Sequence, residues 1–252
     1  MPTTILSLPV ELRLRIAEHA VFEEESSTLE FPWPDKINSR YKHYYKPSGH
    51  LALLLVCRQF HDDFTQLVYN NTKFVVGADI DQALVRLHEL SEYKIRNIRT
   101  LRFKPNTKMG VCERFLRETP QLQLHQLDIV FFDCIDQQDI SEIVSFFRRL
   151  SNTKVVKFTF DSYDWYDRRV WYKLIGAIMK EDHYQRYDAP GAPNLEATWW
   201  DWCFNPGYSH ITFEAQPPRP IVPEEEYMLW MKPKVIALMA MAEELEGLLE
   251  GL

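Results

Sequence analysis

Apolar residues near the N-terminus recur every four positions. The residues that share this spacing are Leu8, Leu12, Ile16 and Ala20. Because side chains four positions apart lie on one side of a helix, the spacing predicts an amphipathic helix over residues 6–22. Ser7 as the N-cap, Pro9 near the first helical position and Glu11 in the first turn are typical of a helix start. We expect the apolar side of this helix to pack against another part of the protein.

The segment 23–49 interrupts the periodicity with an acidic triplet, prolines and an aromatic and basic run. We interpret it as an inserted loop that holds a short strand near residues 28–31. Helical periodicity then returns over residues 50–71. This stretch predicts a second helix that is interrupted near Cys57, and a short strand over 74–76 follows it.

Beyond residue 77, helical and strand patterns alternate regularly. The predicted helices cover residues 79–90, 111–117, 140–150 and 170–180, and the predicted strands cover 98–104, 126–132 and 155–161. Leu101, Leu127 and Val156 belong to the same alternating pattern at similar spacing, which is typical of irregular leucine-rich-like strand-helix repeats. Such repeats favour a parallel sheet with the helices on one face.

The C-terminal region has a different pattern. Residues 195–204 and 210–215 predict a β-hairpin, and residues 216–223 form a proline-rich linker. Residues 233–249 predict an amphipathic helix that either caps the repeats or contacts a partner. The expected fold class is α/β, of the α+β kind. Its expected parts are a helical module over 1–76, a repeat platform over 77–222 and a C-terminal helix within 223–252.

Composition limits the class of protein. The 252 residues, 46% of them hydrophobic, supply enough apolar material for one large domain or two small ones. The net charge of -7 argues against nucleic acids and anionic membranes as partners, because both are polyanions. No apolar run approaches the roughly 20 residues that cross a bilayer, and the N-terminus lacks a signal-peptide pattern. We therefore expect no membrane partner and a cytoplasmic or nuclear location.

Signals for metal or catalytic chemistry are weak. The cysteines are Cys57, Cys112, Cys134 and Cys203. Their spacing indicates neither a zinc site nor a disulfide framework, and no nucleophile elbow, phosphate-binding glycine loop or His-Glu-x-x-His pattern is present. We expect no cofactor, no metal and no catalytic residue, whereas an enzyme would show a deep pocket with convergent polar groups. The run from His61 to Asp63 is interpreted as a solvated helix face, because adjacent helical side chains point in different directions.

Two separated motifs carry a family resemblance. The first is Leu8-Pro9-Val10-Glu11-Leu12 followed by Ile16, and the second is Leu53-Leu54-Leu55-Val56-Cys57-Arg58-Gln59-Phe60. Later residues that add to the resemblance are Tyr69, Asn71, Thr72 and Phe74. Over roughly residues 5–76, the chain resembles a large group of fungal F-box-like proteins.

The resemblance implies a role in protein recognition. In F-box proteins, the N-terminal helices pack against a small Skp-type adaptor, which links a substrate receptor to a cullin-RING ubiquitin ligase. The positions that the resemblance implies for adaptor binding are Leu8, Pro9, Leu12, Ile16, Leu54, Val56 and Phe60. An ordinary F-box joins its first two helices by a short turn, whereas here the segment 23–49 separates them. A scaffold or ligand-binding protein of the same fold, without a ligase role, is the alternative.

A surface that recognises a substrate protein is expected on the repeats. If alternate strand residues face the helices, the side chains of Arg102 and Lys104 lie on the opposite sheet face, beside those of Phe132 and Lys157. Basic residues are dense over 94–117. This density indicates either a solvated face that balances the acidic C-terminal helix or a docking patch for an acidic or phosphorylated protein.

The tryptophans of residues 199–202 are a further candidate binding feature. On a strand, Trp200 and Trp202 share one face and Trp199 takes the other, so at least one of them is exposed or covers a loop. We consider Trp200 and Trp202 candidate anchors for a ligand, with packing in the core as the alternative.

Overall fold

The structure is a computed structural model that describes residues 4–22, 28–30, 49–76, 79–103, 107–131, 137–160, 168–204 and 210–250. The chain divides into two compact units. The first is Met1–Phe131 with Asn152–Thr159, and the second is Phe132–Ser151 with Phe160–Leu252. Each unit contains both helices and strands, so the mixed α/β class is confirmed.

The elements of the first unit follow the predicted alternation. Its helices are α1 (Val10–Phe22), α2 (Gly49–Ala52), α3 (Arg58–Asn71), α4 (Ile80–His88), α5 (Glu92–Arg96) and α6 (Met109–Glu118). Its strands are β1 (Thr28–Glu30), β2 (Lys73–Val76), β3 (Thr100–Phe103), β4 (Leu124–Phe131) and β5 (Thr153–Phe160). Short 3-10 turns cover Ile5–Ser7 and Leu53–Leu55. The sequence did not predict α5, whose five residues are too few for helical periodicity to show.

The five strands of this unit lie side by side in the order of the sequence. The pairs β1 with β2, β2 with β3 and β3 with β4 are parallel. Of these four strands, only β3 and β4 belong to the predicted repeats. Phe74 lies opposite Leu101, and Leu101 lies opposite Leu127, so the repeated apolar positions are in register. All three side chains are buried. Phe103 of β3 packs edge-on against Phe115 of α6, with 5.7 Å between ring centroids.

The turn between residues 52 and 58 explains why the second predicted helix is interrupted. Cys57 has extended backbone angles, φ -162 and ψ 167, so it separates the 3-10 turn from α3. Its Sγ accepts a hydrogen bond from the Phe60 backbone N–H at 3.4 Å, which caps α3. The predicted break near Cys57 is confirmed.

The predicted start of the first helix needs one correction. The Pro9 carbonyl accepts hydrogen bonds from the N–H groups of Leu12 and Arg13, both at 3.1 Å, so Pro9 stands at the entrance of α1 as expected. Ser7 is not the N-cap, because its hydroxyl donates to the Thr4 carbonyl at 2.7 Å. The hydroxyl is used by the preceding 3-10 turn instead.

The second unit combines helices with a hairpin. Its elements are α7 (Gln137–Arg149), α8 (Arg168–His183), a π-helical turn (Tyr184–Asp188), β6 (Trp199–Phe204), β7 (His210–Gln216) and α9 (Glu224–Glu250). The strands β6 and β7 are antiparallel, which confirms the predicted hairpin. Phe147 of α7 lies 4.9 Å from Trp200 and 4.8 Å from Phe213 between ring centroids, so α7 packs on the hairpin.

The last helix begins earlier than its apolar pattern suggests. It starts at Glu224 rather than at Pro233, directly after Pro223, and three glutamates occupy its first turn. Acidic residues in the first turn stabilise the positive end of the helix dipole, which favours a start at Glu224. The helix continues through Pro233. The predicted boundary between the helical module and the repeat platform lies at residue 76, the last residue of β2. Because β2 pairs with β3 along its whole length, backbone hydrogen bonds connect the two predicted parts.

Among the helices of the described residues, none has the length and apolar content needed to cross a membrane.

Candidate functional site

A buried ion pair joins the two motif-bearing segments of the first unit. The Arg13 guanidinium of α1 lies 2.7 and 2.8 Å from the Asp63 carboxylate of α3, and both side chains are largely buried. The same guanidinium donates to the carbonyls of Leu8 and, at 3.4 Å, of Leu6. Arg13 therefore holds α1 against α3 and fixes the segment that precedes α1. We call α1, α2, α3 and the two 3-10 turns the helical head.

The helical head leaves much of its apolar surface open. The residues with large exposed fractions are Leu12 (47%), Ile16 (45%), Val56 (63%) and Leu55 (86%), joined by Ile5, Leu6 and Val10. We call these seven residues the exposed apolar set. Beneath them, Ala17, Leu54, Phe60, Phe64 and Val68 are buried and form the core of the head. Clusters of exposed apolar side chains on a folded protein are typical of interaction sites.

The structure separates the seven predicted adaptor-binding residues into two groups. Pro9, Leu12, Ile16 and Val56 are exposed, and Leu8 is half-buried. Pro9, Leu12 and Ile16 follow the spacing i, i+3, i+7, so they share one side of α1. Leu54 and Phe60 are buried in the head and are not available to a partner without a rearrangement.

Sequence reasoning missed several residues of this site. Leu55 is the most exposed of the set, and helical periodicity could not show this, because the 3-10 turn rotates residues 53–55 out of the helical phase. The interpretation of His61 to Asp63 as a solvated face is wrong for Asp63 and holds for Asp62, whose side chain is 81% exposed. The sequence pattern gave no signal for the Arg13–Asp63 pair, because its two residues lie 50 positions apart.

On the sheet face predicted to bind a ligand, a buried carboxylate connects three strands. The Asp128 carboxylate of β4 lies 3.2 Å from the Arg102 guanidinium of β3 and 3.0 Å from the Lys73 ammonium of β2. The Gln126 side-chain amide donates to it as well. Arg102 is therefore paired with a carboxylate of the neighbouring strand. Because Lys73 and Arg102 share the single charge of Asp128, one positive charge remains uncompensated within this group.

This sheet face is less open than the sequence suggested. Asp128 and Val130 are buried, and Lys157 of β5 is half-buried. Lys104 and Phe132 lie outside the described residues. The binding role of Arg102, Lys104, Phe132 and Lys157 stays a prediction.

The tryptophans of β6 each have a partner within the second unit. Trp200 is buried, and its indole N–H donates to the Phe147 carbonyl at 3.4 Å, so it is part of the core and not an accessible anchor. Trp202 is half-buried under the Lys234 ammonium, 5.1 Å from the ring centroid. Trp199 is buried, and the Arg219 guanidinium lies over its ring, 4.0 Å from the ring centroid. For Trp200, the structure therefore favours packing in the core over the role of a ligand anchor.

The basic stretch over 94–117 is partly neutralised by nearby acids. Arg96 pairs with Glu92 at 2.5 Å, and Arg114 pairs with Asp81 at 2.6 Å and Glu118 at 2.8 Å. These acids belong to the first unit, so the charges of Arg96 and Arg114 are compensated locally.

A small cavity in the second unit is lined by residues that include Phe147, Arg148, Glu181, Trp199 and Trp200. Its volume is about 30 Å³, which holds about two water molecules and no metabolite. Arg148 pairs with Glu181 at 2.9 Å and with Glu196 at 2.6 Å, so its charge is compensated locally.

No family model, curated protein or solved structure matches this chain.

A buried polar cluster fixes α9 to α8. The Arg186 guanidinium donates to both Asp182 carboxylate oxygens at 3.0 and 2.9 Å, and the Tyr227 hydroxyl donates to the same carboxylate at 2.6 Å. Burial and the hydrogen bond to Asp182 raise the pKa of Tyr227 far above its ordinary value. Every polar group of this cluster has a partner, which is typical of a structural role. Within the described residues, no group of three His, Cys, Asp or Glu side chains could hold a metal ion.

Proposed function

We propose that this chain is an F-box-like substrate receptor, whose helical head binds a Skp-type adaptor of a cullin-RING ubiquitin ligase. The observation that carries the proposal is the exposure of Pro9, Leu12, Ile16 and Val56. These are motif positions, and a protein with no partner there would gain stability by burying them.

The energetics of the exposed apolar set support a protein partner. Fully burying a Leu, Ile or Val side chain contributes about 1.5 to 3 kcal/mol. The exposed fractions of Leu12 and Ile16 are 47% and 45%, so covering the rest of each side chain contributes about 1 kcal/mol. Val56 and Leu55 contribute more, because they are more exposed. The sum offsets part of the cost of association, and further contacts of the adaptor supply the rest.

The buried Arg13–Asp63 pair supports a preformed binding surface. It joins α1 to α3 across the long segment that separates them in sequence, so the exposed residues of both motifs are held in place before a partner binds. A preorganised surface loses less conformational entropy on binding than a flexible one.

The test is capture of the purified full-length chain by a recombinant Skp-type adaptor. We expect the wild-type chain to be retained and both Leu12→Glu and Ile16→Glu to lose at least about tenfold in affinity, because each places a charge in a desolvated interface. Val85→Glu is the matched control, since it adds the same charge at an exposed apolar position of α4.

Folding must be followed in the same samples by thermal unfolding. The proposal fails if the folded wild-type chain does not bind the adaptor, or if the Leu12 and Ile16 variants bind as well as Val85→Glu. The remaining function is then the scaffold or ligand-binding protein without a ligase role.

A further inference from the structure

The helix α9 packs on its own unit through very few side chains. Of its residues up to Glu243, where side chains are described, only Tyr227 and Met231 are buried. The exposed apolar residues of α9 are Met228, Leu229, Trp230, Val235, Ile236 and Met239. Except for Trp230, they fall on one stripe of the helix, because they are spaced by three, four and seven positions.

Two opposite charges lie on the same stripe. Lys232 and Glu243 are both exposed, and neither has an ion-pair partner among the residues that the structure describes. Three helical turns separate them, or ~16 Å along the axis, which is too far for an ion pair within the helix. Ile236 and Met239 lie between them and are equally exposed, at 56% each.

This arrangement is symmetric about the midpoint between Ala237 and Leu238. Lys232 and Glu243 are equally distant from that point, as are Ile236 and Met239, and as are Val235 and the small Ala240. When a second α9 lies antiparallel across this point, each Lys232 faces a Glu243 and each Ile236 faces a Met239. A two-fold axis generates every contact twice.

We propose that α9 is a self-association surface, on which a second copy of this chain binds in antiparallel orientation through the Lys232–Glu243 and Ile236–Met239 pairs. A parallel arrangement places Lys232 against Lys232 and Glu243 against Glu243, which is repulsive. An anionic membrane is a poorer occupant, because Glu225 and Glu243 lie on the stripe. The second copy matches the charges of Lys232 and Glu243 and the apolar residues Ile236 and Met239 between them.

The experiment is sedimentation equilibrium of the full-length chain over a concentration series. We expect the wild-type chain to dimerise, and Lys232→Glu or Glu243→Lys to weaken the dimer at least about tenfold, because each puts two like-charge contacts into the interface. Lys180→Glu, an exposed lysine of α8, is the control with the same change in charge. The double variant with both substitutions restores the opposite charges and the dimer.

Mixing the two single variants gives a second readout that misfolding cannot imitate. One variant carries two acidic positions and the other two basic ones, so the mixture forms a heterodimer although each alone is monomeric. A wild-type chain that stays monomeric overturns the proposal. So does a dimer that neither single substitution weakens, or a double variant as weak as the singles.

Discussion

The helical head and α9 both expose apolar side chains, but they hold them in different ways. The exposed apolar set of the head comes from two segments far apart in sequence, joined by the buried Arg13–Asp63 pair. The stripe on α9 comes from a single helix that is anchored by Tyr227 and Met231. The surface of the head therefore depends on tertiary contacts between these two segments. The stripe on α9 depends on local helix geometry, and its Lys232 and Glu243 lie at equal distances from the point between Ala237 and Leu238.

The largest expected effect comes from breaking the ion pair of the head. Asp63→Ala leaves the Arg13 guanidinium buried without its carboxylate, so we expect the free energy of unfolding to fall by about 3 kcal/mol. Asp62→Ala is the matched control on the same helix. Its side chain is exposed, and we expect a change within about 0.5 kcal/mol. Denaturant unfolding followed by circular dichroism measures both values.

Equal destabilisation by the two substitutions would contradict the assigned role of Asp63. If Asp63→Ala also weakens adaptor binding while Asp62→Ala does not, the surface of the head depends on the ion pair. That result would support the distinction between the head, which depends on tertiary contacts, and α9, which depends on a single helix.

A smaller effect is expected from the anchor of α9. Tyr227→Phe removes the hydroxyl that donates to Asp182, so we expect a loss of about 1 to 2 kcal/mol at neutral pH. The Tyr184→Phe substitution, at an exposed position of the π-helical turn, is the control. Hydrogen exchange of α9 reports the loss locally, and unchanged protection would contradict the anchoring role.

The same tyrosine predicts a dependence of stability on alkaline pH. Its pKa is raised in the folded protein by burial and by the hydrogen bond to Asp182. The unfolded tyrosine loses its proton near pH 10, whereas the folded one keeps it, so the stabilisation is complete below about pH 10 and is lost as the pH rises further. The expected slope from this group is about 1.4 kcal/mol per pH unit. Unfolding free energies of Tyr227→Phe measured over this range should show a shallower decline than those of the wild-type chain.

The smallest expected effect is that of a charge on the exposed apolar set. Because about half of the Leu12 side chain is exposed, Leu12→Glu should lower the free energy of unfolding by no more than about 1 kcal/mol. Ala17→Glu, on the buried side of the same helix, should unfold the head. A large destabilisation by Leu12→Glu would mean that this side of α1 is covered within the chain.

Much of the fold was predictable because its elements are periodic. The strands with alternating apolar residues, the helix α7 and the interruption near Cys57 lie where the patterns predict them. The prediction was wrong where local signals compete. Pro233 was taken as the start of a helix that continues through it, and Ser7 was taken as a cap although a 3-10 turn uses its hydroxyl.

The candidate site was predictable only in part. The motif indicated Leu12, Ile16 and Val56, which are exposed, but also Leu54 and Phe60, which are buried. A motif records which residue types occur at which spacing, whereas burial depends on how a 3-10 turn and two helices pack together.

The amino-acid sequence by itself determined the mixed α/β class, the alternation of apolar positions within the repeated strands, and the order of charged and apolar residues along α9. These are properties of spacing along one segment, because helix and strand geometry repeats every 3.6 and 2 residues. Only the tertiary structure decided that Asp63 is buried against Arg13, that Trp200 belongs to a core, and that Arg102 is engaged by Asp128. Each of these depends on residues brought together from distant segments, where burial changes the free energy of a charge or an aromatic ring more than its local sequence does.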